Sequence, residues 1–211
     1  MRLAEVIPVG PLACNCAILV DDATGLAAVV DPGDEPARIL AGLERAGARA
    51  VTLLHTHAHF DHIGGTAGVH RATGAAVALH PADRFLYDIL VQQGKLFGFR
   101  FEAPVAVTAE LSDGDEIAVG ASTIRVIHTP GHSPGSACFL LGGETPVLFT
   151  GDTLFRGSIG RTDLWGGSLE TIERSIRERL YVLPDGLDVV PGHGEATTIG
   201  RERRENPFVR A

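Results

Sequence analysis

The sequence predicts a layered α/β fold in a single domain covering residues 1–211, and three observations lead to this prediction. A length of 211 residues fits one domain. The apolar share of 45%, together with 26 glycines and 12 prolines, suits a compact, turn-rich domain with a sizeable core. Short β-type runs alternate with helical patterns along the chain, and no low-complexity linker divides it.

In the first half, turn sequences such as DDATG and DPGD separate short apolar runs that have the composition of strands. Between some of these runs, apolar residues recur at helical spacing. The predicted elements are strands at 4–9, 16–20 and 26–30, a helix at 35–48, a strand at 50–54, a helix at 65–73, a strand at 75–80 and a helix at about 82–93.

The second half repeats this alternation. Its clearest helix lies at 168–180, where Ser168 can cap the first turn and Ile172, Ile176 and Leu180 line one face. The other predicted elements are a hairpin of strands at 116–120 and 122–128, followed by strands at 137–141, 146–151 and 187–194.

Charge and composition exclude several classes of protein. A formal net charge of −8 argues against a nucleic-acid binder, which needs a basic surface to neutralise phosphates. No apolar stretch approaches the roughly 18 residues of a membrane span. The first residues lack the pattern of a secretory signal. The three cysteines, Cys14, Cys16 and Cys138, form no disulfide framework and are predicted to be small buried groups. A cytoplasmic location is therefore expected.

The segment HAHFDH places four potential metal ligands within six residues: His57, His59, Asp61 and His62. In an extended segment, residues two apart point the same way, so His57 and His59 can reach one ion. If the chain then turns, Asp61 and His62 can face a second ion. Imidazole and carboxylate ligands suit zinc, iron or manganese.

Three further residues supply what this segment lacks. His132 lies in the loop TPGHSPGS, Asp152 ends the strand VLFTG, and His193 lies in VVPGHG. Six ligands and one bridging carboxylate are enough for two ions about 3.5–4 Å apart.

The motifs HTHAHFDH, TPGHSPG, FTGDT and PGHG resemble, in order and spacing, those of the metallo-β-lactamase superfamily. The segments GDTLFRGSIGRTDLWGG and TIGRERRENPF further resemble its short glyoxalase II-like branch. The resemblance implies an αββα sandwich with two divalent ions, zinc first and iron or manganese as alternatives. It implies that His57, His59 and His132 hold the first ion, that Asp61, His62 and His193 hold the second, and that Asp152 bridges the pair.

The same resemblance implies hydrolysis of a small-molecule thioester, of the hydroxyacylglutathione type, by a hydroxide that the metals activate. Asp61 is expected to orient this nucleophile as well as to bind metal. Glyoxalase II enzymes carry a Lys and a Tyr where this sequence reads GRTD at 160–163, and they have a C-terminal helical region that this chain is too short to contain. The sequence therefore predicts a thioesterase without fixing glutathione as the thiol.

Two alternatives stay open at this stage. A persulfide dioxygenase on the same fold would bind a single iron through His57, His132 and Asp152. Other hydrolases of this fold act on lactones or lactams. Arg156 and Arg161 follow Asp152 and either meet a substrate carboxylate or form structural ion pairs.

The remaining histidines, the charged run near the end of the sequence and the single tryptophan are expected to lie outside the metal-ligand set. His70 and His80 are expected to be structural, and His55 and His128 to pack beside the ligand loops. The charged run at 201–204 is predicted to be a solvated surface, and Trp165 lies either near the mouth of the site or over the core.

Overall fold

The computed structural model describes residues 1–210, and two six-stranded β-sheets form its centre. The first sheet holds its strands in sequence order. Its first two pairs are antiparallel and the remaining pairs are parallel. The strands are β1 (Arg2–Val9), β2 (Cys14–Asp21), β3 (Leu26–Val30), β4 (Arg49–Leu54), β5 (Ala76–Leu79) and β6 (Ala109–Glu110).

The second sheet has the strand order β14-β13-β10-β9-β8-β7, in which β10 and β13 are parallel. A small hairpin of β11 and β12 follows β10. The strands of this half are β7 (Glu116–Val119), β8 (Ser122–His128), β9 (Ala137–Leu141), β10 (Val147–Gly151), β11 (Leu154–Phe155), β12 (Ser158–Ile159), β13 (Asp188–Pro191) and β14 (Thr197–Thr198).

Helices cover the outer face of each sheet. Those of the first half pack on the first sheet, and those of the second half pack on the second sheet. They are α1 (Pro36–Arg45), α2 (Phe60–Ile63), α3 (Thr66–Thr73), α4 (Arg84–Asp88), α5 (Leu90–Phe97), α6 (Leu169–Ser175) and α7 (Ile199–Glu205).

The alternation of side chains along the strands explains the layered arrangement. Leu19 on β2 and Phe139 on β9 point into the core between the two sheets. Their neighbours Ile18 and Cys138 point outward, into the separate cores beneath the helices. Because both faces of each central strand are buried, these strands are almost continuously apolar. The predicted single-domain αββα sandwich is confirmed.

Two predicted helices differ in detail from the structure. The helix expected at 82–93 is a short 3₁₀ turn, Pro81–Asp83, followed by α4 and α5. The helix expected at 168–180 begins at its Ser168 cap but changes to a π-helical turn over Ile176–Leu180. The residue after this turn, Tyr181, is buried, and its hydroxyl lies 3.0 Å from the carbonyls of Glu202 and Val209. Helical periodicity does not encode such tertiary contacts.

The prediction of a solvated surface at 201–204 is wrong for Glu202. Glu202 lies on α7 and its side chain is buried. The carboxylate accepts hydrogen bonds from Thr197 Oγ1 at 2.6 Å, from Gly157 N at 2.8 Å and from Asn206 Nδ2 at 3.0 Å. These three hydrogen bonds offset the cost of burying a charge. Because Gly157 lies in the turn between β11 and β12, its hydrogen bond also links this hairpin to α7.

The two sheets end together at one edge of the sandwich. Parallel β3 and β4 of the first sheet and parallel β10 and β13 of the second direct their carboxyl ends to this edge. The loops that follow such ends are where layered α/β folds place their sites. Among residues 1–210, no helix has the length and apolar character needed to cross a membrane.

Candidate metal centre

Four chain segments bring all seven predicted ligands to this edge. The segment His57–His62 follows β4, and its last part forms the short helix α2. His132 lies between β8 and β9, Asp152 directly follows β10, and His193 follows β13. Gly151 has φ of 48°, a left-handed conformation that suits glycine, and this turn directs Asp152 away from the strand.

The first group consists of His57, His59 and His132, whose rings are buried and converge on one point. His59 Nδ1 lies 2.9 Å from His132 Nε2, which lies 3.2 Å from His57 Nε2. Burial lowers the pKa of His59 to about 3 and holds the pKa of His57 well below its usual value. Both imidazoles are therefore neutral near pH 7, the form that binds metal.

The second group consists of Asp61, His62 and His193. His193 Nε2 lies 3.2 Å from His62 Nε2 and 3.1 Å from Asp61 Oδ2. The carboxylate of Asp152 lies between the two groups, with Oδ1 3.3 Å from His62 Nε2 and Oδ2 3.6 Å from His132 Nε2. This is the position that a bridging carboxylate requires.

Hydrogen bonds on the far side of the rings determine which nitrogen faces the centre. His132 Nδ1 donates to the carbonyl of Arg161 at 2.7 Å, and His193 Nδ1 donates to the carbonyl of Leu12 at 2.9 Å. A carbonyl oxygen only accepts, so the proton of each neutral ring is on Nδ1 and the lone pair is on Nε2. Both lone pairs point into the centre.

Asp31, which immediately follows β3, orients one ligand of each group. Its Oδ2 accepts a hydrogen bond from His62 Nδ1 at 3.0 Å and another from Thr56 Oγ1 at 2.7 Å. Because the only proton of the Thr56 hydroxyl is used on Asp31, that oxygen accepts from His57 Nδ1 at 3.1 Å. One buried carboxylate thus sets the tautomers of His57 and His62.

These residues fit a pair of metal ions. Asp152 Oδ1 is buried and has no hydrogen-bond partner among residues 1–210, although the lone pairs of several imidazoles surround it. An arrangement in which acceptors face each other is favourable only if cations or protons lie between them. Burial opposes a charge on His193, but its hydrogen bond to Asp61 and the charge of Asp152 raise its pKa. Metal binding at this ring therefore competes with protonation.

The thiol of Cys14 lies beside the centre, in a separate group with Asp31 and His62, and outside the two ligand groups described above. Its Sγ is 3.5 Å from His62 Nδ1, the nitrogen that already bonds to Asp31. Burial raises the pKa of this thiol to about 12, so it stays protonated and is a poor ligand. The predicted small, buried cysteines are confirmed, and all three are free thiols.

A cavity of about 410 Å³ opens on the two groups. Its volume lies in the range of small-molecule sites, which is roughly 300–1,000 Å³. Five of the seven ligand-type residues line it, namely His59, Asp61, His132, Asp152 and His193. The rest of its lining is formed by Leu12, Phe60, Gln93, Phe97, Arg161, Leu164 and Trp165.

A family model described as the metallo-beta-lactamase superfamily matches residues 9–193, which include every ligand-type residue of the centre. The chain belongs to the metallo-β-lactamase superfamily. This confirms the resemblance that the four motifs indicated, and it places the chain among hydrolases whose members use divalent metals.

Relatives within the superfamily agree with this membership over their full lengths. The chain is 37% identical to the hydroxyacylglutathione hydrolase GloC of Haemophilus influenzae, and the match covers 97% of each chain. The structure of BLEG-1 B3 metallo-beta-lactamase is similar at a TM-score of 0.90 and 37% identity, covering 98% of this chain and 99% of that one. The structure of TTHA1623 in a di-iron-bound form is similar at a TM-score of 0.89 and 37% identity, covering 97% of this chain and all of that one.

The two arginines considered as substrate contacts have different positions in this superfamily member. Arg161 lines the cavity, and its guanidinium is paired with Asp163 through two contacts of 2.7 and 2.8 Å. Arg156 is paired with Glu195 and does not line the cavity. Contact of either arginine with a substrate stays a prediction.

The histidines outside the ligand groups have structural partners. His55 is buried and bonds to the carbonyl of Ala78 at 2.9 Å and to Thr66 Oγ1 at 2.8 Å. His128 bonds to the carbonyl of Pro134 at 2.9 Å, within the loop that carries His132, and its ring stacks on His80. His70 bonds to the carbonyl of Ala75 at 2.8 Å.

Sequence reasoning missed two buried carboxylates that hold the centre together. Asp31 could have been found, because it ends a predicted strand just as Asp152 does. Asp83 had no such signal. Its carboxylate accepts from Ala58 N at 3.0 Å, between two ligands, and from Ser133 Oγ at 2.7 Å and Gly135 N at 2.6 Å, in the His132 loop. It thereby ties two ligand segments to each other.

Proposed function

We propose that the chain binds two divalent metal ions and hydrolyses a small-molecule thioester. His57, His59 and His132 would hold the first ion, and Asp61, His62 and His193 the second, with Asp152 between them. The support is that these side chains form two groups of converging ligand atoms with one carboxylate shared between them. The ions would be zinc, with iron or manganese compatible with the same nitrogen and oxygen ligands.

When bound, such a pair lowers the pKa of a shared water and stabilises negative charge on a carbonyl oxygen. The chain's own residues provide orientation and a dry environment. Asp61 lines the cavity and has a largely buried carboxylate, so an oxygen not used on metal can accept a hydrogen bond from the attacking water. Asp31 and Thr56 hold His57 and His62 in the required tautomers.

The observation that carries the choice of a thioester is the absence of a free general acid among the residues that line the cavity. Every histidine and carboxylate there belongs to the ligand groups, and the other polar residues are Gln93 and Arg161. A lactam nitrogen or an alkoxide needs a proton to leave, whereas a thiol, with a pKa of about 8.5, leaves as the anion. In the reaction, a C–O bond forms from water, the C–S bond breaks, the thiolate leaves with the electron pair, and solvent takes the proton. The similarity to a hydroxyacylglutathione hydrolase supports the same reaction.

The second candidate is a persulfide dioxygenase that uses one iron. It is favoured by the similarity to the structure of ETHE1 from Myxococcus xanthus, a persulfide dioxygenase, at a TM-score of 0.81 and 27% identity, covering 98% of this chain and 84% of that one. Against it, Asp61, His62 and His193 form a complete second group, which a mononuclear enzyme does not need.

We expect S-lactoylglutathione or a related thioester to be cleaved with release of free thiol and without oxygen consumption. A thiol-reactive dye and an oxygen electrode measure the two quantities in parallel, and glutathione persulfide is offered as the competing substrate. Iron-dependent oxygen uptake with persulfide, combined with negligible thiol release from every thioester tried, would overturn the hydrolase proposal.

Replacing Asp31 is expected to weaken metal binding without removing a ligand. Asp31→Asn should lower metal affinity by roughly 10–100-fold, because an amide cannot accept from Thr56 and His62 as the carboxylate does. Metal retained after dialysis against a competing chelator measures the effect.

The matched control is Asp21→Asn. Asp21 is also a buried carboxylate, and it accepts hydrogen bonds from three donors. It lies at the last residue of β2, whereas the first residue of β2, Cys14, lies beside the metal centre. Asp21→Asn should reduce stability and leave metal affinity unchanged. Equal metal loss in both variants would show that Asp31 acts through general stability.

A further inference from the structure

We infer that the substrate carries an apolar substituent, aromatic or branched aliphatic, next to its scissile carbonyl. The reaction itself rests on the proposed function. The nature of the substituent rests on the walls of the cavity beside the metal-ligand groups.

Five large apolar side chains form these walls and come from four separate parts of the chain. Leu12 comes from the β1–β2 turn, Phe60 from α2, Phe97 from the end of α5, and Leu164 and Trp165 from the loop before α6. Convergence of large apolar groups from distant segments on one opening is what an apolar ligand site requires.

Two of these side chains remain unusually exposed for their size. Leu12 is 47% exposed and Phe97 is 41% exposed. Binding is favoured when a ligand covers apolar surface at the rim of a cavity and removes it from water. A ligand with an apolar group would cover both side chains, whereas a polar ligand would leave them in water.

The apolar wall is supported and lies beside the reacting centre. Phe60 stacks on Phe97 with ring centroids 5.1 Å apart and on Phe99 with centroids 5.4 Å apart. The Trp165 ring, which also lines the cavity, has its centroid 6.5 Å from that of the His59 ring, a predicted metal ligand. A substituent held by this wall would therefore lie next to the bond that is cleaved.

The charges around the cavity do not favour a strongly polar substituent. Arg161 is the one lysine or arginine among its lining residues, and its charge is already paired with Asp163. The two lining carboxylates, Asp61 and Asp152, belong to the ligand groups. A group with several charges would lose its hydration here without gaining free partners, which is unfavourable.

The first test varies the acyl group on a constant thiol. With the metal-loaded protein, kcat/KM is measured for the lactoyl and phenylacetyl thioesters of N-acetylcysteamine, and each value is divided by the rate of hydroxide hydrolysis. Burial of an aromatic side chain is worth about 1.5–3 kcal/mol, so we expect the phenylacetyl thioester to be favoured by roughly 10–100-fold.

A second series keeps the lactoyl group and compares a benzyl thiol with N-acetylcysteamine. A preference confined to this series also supports the inference, with the apolar group on the thiol side.

Variants test whether the apolar side chains of the cavity cause the preference for the phenylacetyl thioester. Leu12→Ser and Phe97→Ser should each reduce the ratio of kcat/KM for the phenylacetyl thioester to kcat/KM for the lactoyl thioester about 10-fold. The matched control is Leu96→Ser, since Leu96 precedes Phe97, is 68% exposed and does not line the cavity. This control should keep the full preference.

Binding is measured separately, because Trp165 is the single tryptophan of the chain and lines the cavity. Its fluorescence should respond to the S-phenethyl thioether of N-acetylcysteamine at concentrations at least 10-fold lower than to the S-(2,3-dihydroxypropyl) thioether. Equal rates in both thioester series with equal binding of the two thioethers would overturn the inference and leave thioester hydrolysis standing. Tight binding of the phenethyl compound without cleavage of any thioester would overturn the proposed function and leave the apolar site standing.

Discussion

Removal of metal with a chelator is expected to abolish thioester hydrolysis, and added zinc or manganese to restore it. The cavity is lined by no serine, threonine, cysteine or lysine that could act as a covalent nucleophile, and its histidines and carboxylates all belong to the ligand groups. Water is therefore the attacking group in the proposed reaction, and its activation by metal is worth several kcal/mol. We expect a loss of kcat/KM of at least about 10³-fold in the stripped protein. Elemental analysis and a thiol-release assay on the same samples measure occupancy and activity together.

The control for chelation is the same chelator saturated with zinc, which should leave activity intact. Thermal unfolding of the stripped protein separates loss of metal from loss of fold. Full activity in protein proven metal-free would contradict the two-metal mechanism. If iron alone restored activity, and that activity consumed oxygen, the result would favour the persulfide dioxygenase over the hydrolase.

Asp152→Ala is expected to lower the occupancy of both metal sites and to reduce kcat/KM by at least about 10³-fold in a folded protein. The reason is its position. Its Oδ1 approaches His62 of the second group, and its Oδ2 approaches His132 of the first. Because Oδ1 has no hydrogen-bond partner among residues 1–210, its removal leaves no donor unsatisfied at that atom. Metal content per chain and the unfolding temperature measure the two effects.

Two histidine variants complete this experiment. His193→Ala should empty mainly the second site, because His193 lies in the group with Asp61 and His62. His70→Ala should change neither site, since His70 bonds to the carbonyl of Ala75 and is absent from both ligand groups. If the Asp152→Ala variant still bound two metals per chain, Asp152 would not be a bridging ligand.

The sequence predicted most strands and the gathering of the seven ligand-type residues at one edge, because both leave local patterns. Apolar runs bounded by turn residues marked most strands, and the segment His57–His62 and the two Pro-Gly-His loops marked the ligands. Short strands such as β11, β12 and β14 were not predicted, because a strand of two residues is too short to show an alternating pattern. The change from α-helix to π-helical turn at Ile176 was not predicted for a different reason. Its apolar face continues into the π-helical turn, so the pattern does not reveal the change.

By itself, the sequence determined the chemistry available to this protein: imidazole and carboxylate ligands placed after strands, and a fold that buries both faces of its sheets. Only the tertiary structure decided how those ligands are held. Asp83 joins Ala58 and Ser133, which lie 25 and 50 residues away from it, and Asp31 reaches His62 across 31 residues. The apolar wall likewise gathers Leu12, Phe97 and Trp165 from distant parts of the chain. Spacing along a chain carries no record of such contacts, because they arise only when the sheets pack and the loops at their edge converge.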